Sequence, residues 1–290
     1  MDISIALPNT IPGARGEVMA QWARRAEERD FAGVAATERL VYPGHDPLLS
    51  LAAASAVTSH IRLSTNIVIG PLRSAAVLAK EAETLQSLSG GRFVLGLGPG
   101  VRDDDFAAAE RQFASRGRTF DAQLAALHDH WGGPAGLADA RSHHLDPAPP
   151  RVPLLVAGLS DAAIRRVVRW GDGWTAPGLE PATILPHVDR VRAAWVDAGR
   201  DGSARVVALL RFALGGDVEA KAAGFVREYF AVTGEDPETY VAKTPRTGEQ
   251  IRRLTAELAA GGVDEVLFHP TAVTLNQVDR LADVVFGPLT

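Results

Sequence analysis

Residues 63–105, LSTNIVIGPLRSAAVLAKEAETLQSLSGGRFVLGLGPGVRDDD, decide how this chain folds. The stretch reads as strand, helix, strand. A β-branched run covers 63–69 and turns at Gly70-Pro71. A helix of apolar periodicity follows over 75–89, stops at Gly90-Gly91, and gives way to a second strand over 93–97. A connection of that length excludes a hairpin, so the two strands lie parallel with a right-handed helical crossover. The second strand runs into Gly96-Leu97-Gly98-Pro99-Gly100. Bare backbone is thus offered at the carboxyl end of a parallel strand, where α/β proteins bind their ligands.

The same alternation extends in both directions. Upstream, a strand over 3–7 closes at Pro8-Asn9, and a helix over 16–30 carries apolar Val18, Met19, Trp22, Ala23 and Ala26 on one face. A second strand over 31–36 leads through a polar loop to a helix over 46–59, opened by Asp46-Pro47. Downstream, two helices are expected over 103–113 and 117–131. An irregular excursion rich in Gly and Pro then covers 132–153. Strands follow over 154–157, 173–176, 205–214 and 263–269, with helices over 160–170, 182–198, 218–231, 248–260 and 275–286. Eight strands each followed by helix, with no internal repeat and no shift in composition, predict an α/β protein. Its architecture is a single (β/α)8 TIM barrel occupying residues 1–290 as one domain. A two-domain dinucleotide fold would place GxGxxG directly after the first strand. This chain has no such motif there, and Gly96-x-Gly98-x-Gly100 continues as Val101-Arg102-Asp103.

Composition removes several classes of function. At 290 residues and 46% hydrophobic, the chain buries a large core. A net charge of −5, a pI near 5.9 and no basic run interleaved with aromatics argue against nucleic acid as a partner. The absence of cysteine excludes disulfides, thiolate metal sites and cysteine nucleophiles. The N-terminus lacks a basic and apolar leader, and no window approaches the roughly 18 apolar residues of a membrane span. A soluble, cytoplasmic protein with no membrane partner is expected.

In a barrel the candidates for chemistry are the residues at the carboxyl ends of the strands. Here those are Pro8 and Asn9, Glu38 and Arg39, residues 66–70, 98–102 and 158–160, Pro177 and Gly178, Arg211 and His269. Ala157-Gly158-Leu159-Ser160 is strand, glycine and helix start, with Arg165 one turn inside, and suits an anion such as phosphate. The plainer reading makes Gly158 a turn and Ser160 a cap. Asn66 sits in an otherwise buried strand, where its amide needs partners from a ligand or from neighbouring strand ends. Asp103, Asp104 and Asp105 read as a solvated helix start, and His60, His128 and His130 as structural residues away from the mouth. With no HExxH, no CxxC and no close His pair on one helix, and with His143-His144 in the irregular segment, no metal site is expected. A mouth that is polar but poor in strong acids and bases suits chemistry carried by an organic cofactor.

Several segments, in order, resemble the bacterial luciferase-like flavin monooxygenases and their deazaflavin-dependent relatives. They are ISIALP, WARRAEERDFAGVAATERL with YPGHDPL, the block from RLSTNIVIG to GLGPG, RGRTFDAQL, and PLLVAGLSDAAIRRVVRWGDGW. The resemblance implies a barrel with flavin at its carboxyl mouth, and commonly a homodimer. It places Asn66-Ile67 where relatives often hold a non-proline cis peptide against the flavin ring. It also places Gly98 where backbone approaches the ring, Arg118 at an arginine used for the flavin, and Gly158, Leu159 and Ser160 at the phosphate turn, which with Ala157 and Arg165 completes the set of cofactor-binding candidates.

Glu38, Arg39 and Asn66 are the catalytic candidates, and the first two mark a departure from the family. Many deazaflavin-dependent dehydrogenases of this kind carry an Asp-His pair after strand two and a Glu after the strand-four glycines. This chain has Glu38-Arg39 and Val101. The expected activity is therefore a reduced-FMN-dependent monooxygenase acting on a small organic substrate, supplied by a separate flavin reductase. The alternatives are hydride transfer with the deazaflavin coenzyme F-420 (F420) and a non-catalytic barrel that binds a ligand or partner.

Overall fold

The computed structural model describes residues 1–132, 149–178, 180–231 and 236–288. Nine strand segments form one parallel sheet that closes on itself: β1 (Asp2–Ala6), β2 (Gly33–Ala36), β3 (Arg62–Thr65), β4 (Val68–Ile69), β5 (Phe93–Gly98), β6 (Leu154–Ala157), β7 (Gly173–Ala176), β8 (Arg205–Phe212) and β9 (Glu265–Pro270). β3 and β4 are two halves of one barrel strand. β3 pairs with β2 and with the start of β5, and β4 pairs with the end of β5. The break between them falls at Asn66-Ile67. The barrel therefore has eight parallel positions, as the alternation of elements predicts.

The helices follow in turn: α1 (Gly16–Glu28), α2 (Pro47–Ser55), α3 (Ala75–Leu88), α4 (Asp103–Ala108), α5 (Arg116–Gly132), α6 (Asp161–Trp170), α7 (Pro181–Asp197), α8 (Glu219–Phe230), α9 (Pro237–Lys243), α10 (Gly248–Ala260) and α11 (Asn276–Val285). Local chemistry fixes their ends. Asp46, Ser74, Ser160 and Thr247 accept backbone N–H groups as caps, and Thr247 and Gln250 form a reciprocal capping box. The sequence reading passes over α9, although Asp236-Pro237 repeats the Asp-Pro signal that opens α2. The helix expected over 103–113 stops at Ala108, and a short 3-10 turn at Phe113–Ser115 replaces its last part. Of the excursion, residues 133–148, with His143 and His144, lie outside the described residues.

Most of the apolar core lies between sheet and helices, around Trp22, Trp174, Phe93, Phe120 and Phe268. The barrel interior is a separate, thinner layer of Ala6, Ala35, Leu155, Val207, Leu209 and Leu267. Beneath it, at the amino end, charge takes over. Ser4 donates to Glu265 at 2.5 Å, and Arg62 and Arg205 each donate to both Asp2 and Glu265 at 2.6 to 3.0 Å. The two arginines hold the Asp2 carboxyl below its usual range against the opposing effect of partial burial. Two acids and two bases thus close the floor with no net charge. Period-two alternation sets the other end as well. Val207, Leu209 and Arg211 on β8, and Glu265, Leu267 and His269 on β9, alternate toward the interior, so each strand ends on a polar group at the mouth.

Candidate functional site

The mouth is built around the peptide that interrupts the third barrel strand. Asn66-Ile67 is cis, and it is a non-proline bond. Its carbonyl and the peptide groups on either side are held by the end of β2 and the two residues after it. Asn66 N–H donates to Ala36 O at 2.8 Å, Thr37 Oγ1 donates to Asn66 O at 2.8 Å, and Glu38 N–H donates to Ile67 O at 3.0 Å. The Asn66 side chain turns into the barrel, where Nδ2 donates to Thr175 Oγ1 on β7 at 2.7 Å. That bond satisfies one donor of a nearly buried amide.

Gly98, Ile67 and Ala157 converge beside this peptide. A Cβ on Gly98 would lie 3.0 Å from Ile67 Cδ1 and 3.4 Å from Ala157 Cβ, so the glycine leaves just enough room for the isoleucine. The next turn is equally constrained. Gly158 has φ +130°, which excludes a side chain in comfort, and a Cβ there would sit 2.8 Å from Ala163 Cβ. Its carbonyl accepts Trp174 Nε1–H at 2.8 Å. Ser160 caps α6 by accepting Ala163 N–H at 3.2 Å, so the plain capping role is real. The structure thus brings together Asn66, Ile67, Gly98, Ala157 and Gly158, with Leu159 and Ser160 leading into α6.

Glu38 and Arg39 point apart. Glu38 is buried, accepts Ile69 N–H at 2.6 Å and pairs with Arg73 at 2.5 Å. Burial raises its pKa against the pull of Arg73 and the Ile69 amide. Arg39 turns the other way, lying 3.4 Å from Asp105 and 5.2 Å from the ring centroids of Tyr42 and Tyr229. Asp105 overturns the reading of residues 103–105 as a solvated helix start. It is fully buried and accepts Val41 N–H at 2.7 Å, because the loop after β2 folds down onto α4. Asp103 alone of the three is exposed. Burial, with Glu228 and Tyr229 nearby, lifts the Tyr42 hydroxyl to about 12.

Arg118 and Arg165 are exposed, on α5 and α6, and neither makes an ion pair or hydrogen bond among the described residues. Arg166 ties the two helices together by donating to Asp121 and to Gly117 O. Arg118 and Arg165 therefore flank one helix junction as free cations. Arg102 is spent on Asp104. His130 pairs with Glu83 and His60 with Glu27, in keeping with structural roles. Among the described residues no group of three His, Asp or Glu is placed to hold a metal ion.

The opposite rim holds Arg211 and His269, which are register partners on β8 and β9. His269 Nδ1 lies 3.1 Å from Pro270 O, a pure acceptor, so Nδ1 carries the proton and Nε2 offers a lone pair 3.5 Å from Thr10 Oγ1. Burial, and then the charge of Arg211, push its pKa down to about 3. The imidazole is neutral at any ordinary pH. Both residues stand among the strand ends read from sequence. Thr175 and Trp174 do not, although Thr175 is a polar residue at a β-strand position one step from the mouth.

A sequence profile describing luciferase-like monooxygenases matches residues 1–272. An uncharacterised protein of Mycobacterium tuberculosis is 32% identical over 155 residues, covering 51% of this chain and 54% of that protein. The chain thus aligns with about half the length of the curated relatives it matches. Among solved structures, an F420-dependent secondary alcohol dehydrogenase in complex with an F420-acetone adduct superposes with a TM-score of 0.81 over 100% of both chains at 15% identity. The monooxygenase RslO1 from Streptomyces bottropensis superposes at 0.78, with 21% identity over 98% of this chain and 97% of that one. These likenesses establish the barrel fold, and no described helix is long and apolar enough to cross a membrane. By its profile, the chain belongs to the luciferase-like monooxygenase family.

Proposed function

We propose that this protein is a reduced-FMN-dependent monooxygenase acting on a small organic substrate at the carboxyl mouth of the barrel. The residues present fit a flavin. Ile67, Gly98 and Ala157 offer a small, flat apolar surface beside the Asn66-Ile67 peptide, and Gly158–Ser160 with Arg165 one turn into α6 suits the phosphate, Arg118 on α5 being a further free cation. The bound flavin supplies the reducing electrons with which dioxygen is activated.

The observation that carries this reading is the state of the acids at the mouth. Glu38 is committed to Arg73 and the Ile69 amide, and Asp105 to Arg39 and the Val41 amide. His269 is a very weak base. These groups hold loops and shape the pocket. None is poised to take a proton from an alcohol, which oxidation by hydride transfer requires. The residues left with work at the ring are the Asn66 peptide, which positions it, and the apolar wall, which keeps water away.

In this reading a separate flavin reductase supplies the cofactor, and the protein works as a cytoplasmic homodimer. Titration with FMN should give saturable quenching of flavin fluorescence when oxidised and a saturable absorbance change when reduced, and reduced flavin should drive substrate-dependent oxygen uptake. Exclusive binding of F420, with hydride transfer and no oxygen uptake, would sink it.

The second reading is hydride transfer with F420. The free cations Arg118 and Arg165 favour it, since the coenzyme's acidic tail needs such partners, and the F420-dependent dehydrogenase shares the fold. Binding of the two cofactors, measured side by side, separates the readings.

A further inference from the structure

Arg211 is an anomaly among the interior arginines. Arg92 also lacks a carboxylate, but it spends its guanidinium on Ser89 O, Thr58 Oγ1, Thr58 O, Ile61 O and Ser55 O. Arg29, Arg39, Arg62, Arg73, Arg166 and Arg205 each face an acid. Arg211 has one hydrogen bond, from Nη1 to Gly178 O at 3.2 Å, and no ion pair among the described residues. Its guanidinium carbon lies 4.5 Å from the Phe230 ring centroid. Stacking of this kind fixes the plane of the group but leaves its charge unbalanced.

The space in front of it is shaped for a ligand. Arg211 lines a cavity of about 450 Å³ together with Leu209, Thr239, Tyr240, Thr244 and Gly178, within the range of small-molecule sites. Tyr240 stacks face to face on Phe230 with centroids 3.8 Å apart, so one wall of the cavity is a rigid aromatic slab. The other charges at the wall are already answered. Lys243 pairs with Glu180 at 3.0 Å, and Arg253 lies 3.7 Å from Glu257. The floor cluster of the barrel is neutral in sum, and His269, the register partner of Arg211, is a neutral imidazole and supplies no negative charge. A partly buried cation is left with one carbonyl for company, in a pocket with room for more.

We propose that Arg211 anchors an organic oxyanion, a carboxylate or phosphate on the substrate, so that the natural substrate is an anion with a flat or apolar body. A guanidinium fork binds either group through two parallel N–H···O bonds, and an incoming anion supplies the missing partner of a partly buried charge. A cationic substrate is disfavoured at the same position. The inference deepens the proposed function by naming the substrate class, and rests on it only in taking the mouth as the substrate's seat.

The test uses the full chain and calorimetric titration with benzoate, phenyl phosphate, the neutral isostere benzamide, and inorganic phosphate. Benzoate or phenyl phosphate should bind saturably, at least about tenfold tighter than benzamide. Which of the two is tighter identifies the anionic group. Arg211→Gln should abolish the preference and Arg211→Lys should keep part of it. Labelling of the unmodified protein with phenylglyoxal, read by peptide mass spectrometry, should modify Arg211 and be blocked by the tighter anion, which locates the site without any variant. Equal binding of benzamide, a preference that survives in Arg211→Gln, absence of protection at Arg211, or binding of inorganic phosphate alone would each overturn the proposal. A failure of FMN to bind would remove the flavin reading and leave these results untouched, so the two failures are distinguishable.

Discussion

Asn66 Nδ2 and Thr175 Oγ1 meet at 2.7 Å inside the barrel, joining the third barrel strand to the sixth. Thr175→Val keeps the shape and removes the acceptor, leaving a buried amide donor unpaired. The expected cost is about 1–3 kcal/mol of stability, measured by chemical denaturation. Because the same amide belongs to the peptide that would support the flavin ring, cofactor affinity should fall in the same variant, and by more than in a core variant of matched stability.

Gly96 and Gly98 stand two residues apart on β5 and should respond in opposite ways to one methyl group. A Cβ at Gly96 would lie 2.1 Å from Thr65 O, which is backbone, so Gly96→Ala should fail to accumulate as folded protein. At Gly98 the nearest atom is the flexible Cδ1 of Ile67 at 3.0 Å. Gly98→Ala should fold with a loss of about 1–3 kcal/mol. Its displaced Ile67 should weaken flavin binding about tenfold, or about 1.4 kcal/mol. Solubility, thermal melting and flavin titration read these outcomes together.

His269 makes stability depend on pH in a defined direction. Its folded pKa, near 3, lies below the ordinary 6.5, so the fold prefers the neutral ring. The contribution is complete above pH 6.5 and is lost as pH falls from there toward 3. By pH 5 the loss amounts to about 2 kcal/mol. His269→Gln removes the titrating group, and its melting temperature should change less than that of the unmodified protein between pH 7 and pH 5. Parallel curves for the two proteins would contradict the assignment.

Glu38 binds Ile69 N–H and Arg73, and through them it fixes the loop after β4. Glu38→Gln keeps an acceptor for the amide but gives up the charge that faces Arg73. Arg73 retains Asp46 at 3.2 Å and Glu81 at 3.4 Å, so the loss should stay at the lower end for a buried pair, about 1–3 kcal/mol. A proton-transfer role would show as a lost limb in the pH–rate profile. The locked geometry predicts that the profile of Glu38→Gln keeps its shape.

The barrel was legible because its signals are local and repeated. Each strand is a short β-branched or small-residue run, and several helices have a cap or a Gly stop that can be found without knowing the partner strand. The Gly158 turn was legible from its residues, and the cis peptide position and the glycine beside it by resemblance. What sequence could not supply were relationships across the barrel. Nothing near Thr175 announces that Asn66 will reach it, since 109 residues separate them. Asp105 looked like a solvated first-turn acid because its neighbours are acids. Only the descent of the loop at Val41 buries it and turns it into the partner of Arg39. Arg211 and His269 were visible as strand ends, yet that one is unpaired and the other neutral follows from burial, which depends on α8, α9 and the facing strand.

The sealed amino end has a consequence for traffic. Ser4, Asp2, Glu265, Arg62 and Arg205 tie β1, β3, β8 and β9 together under the interior layer, so the barrel is closed at that end. Whatever enters must leave by the doorway it came through. Two ligands stacked at this mouth would queue in a fixed order, the deeper one first in and last out. A second copy of the inner one, arriving before the outer one departs, would find the door shut.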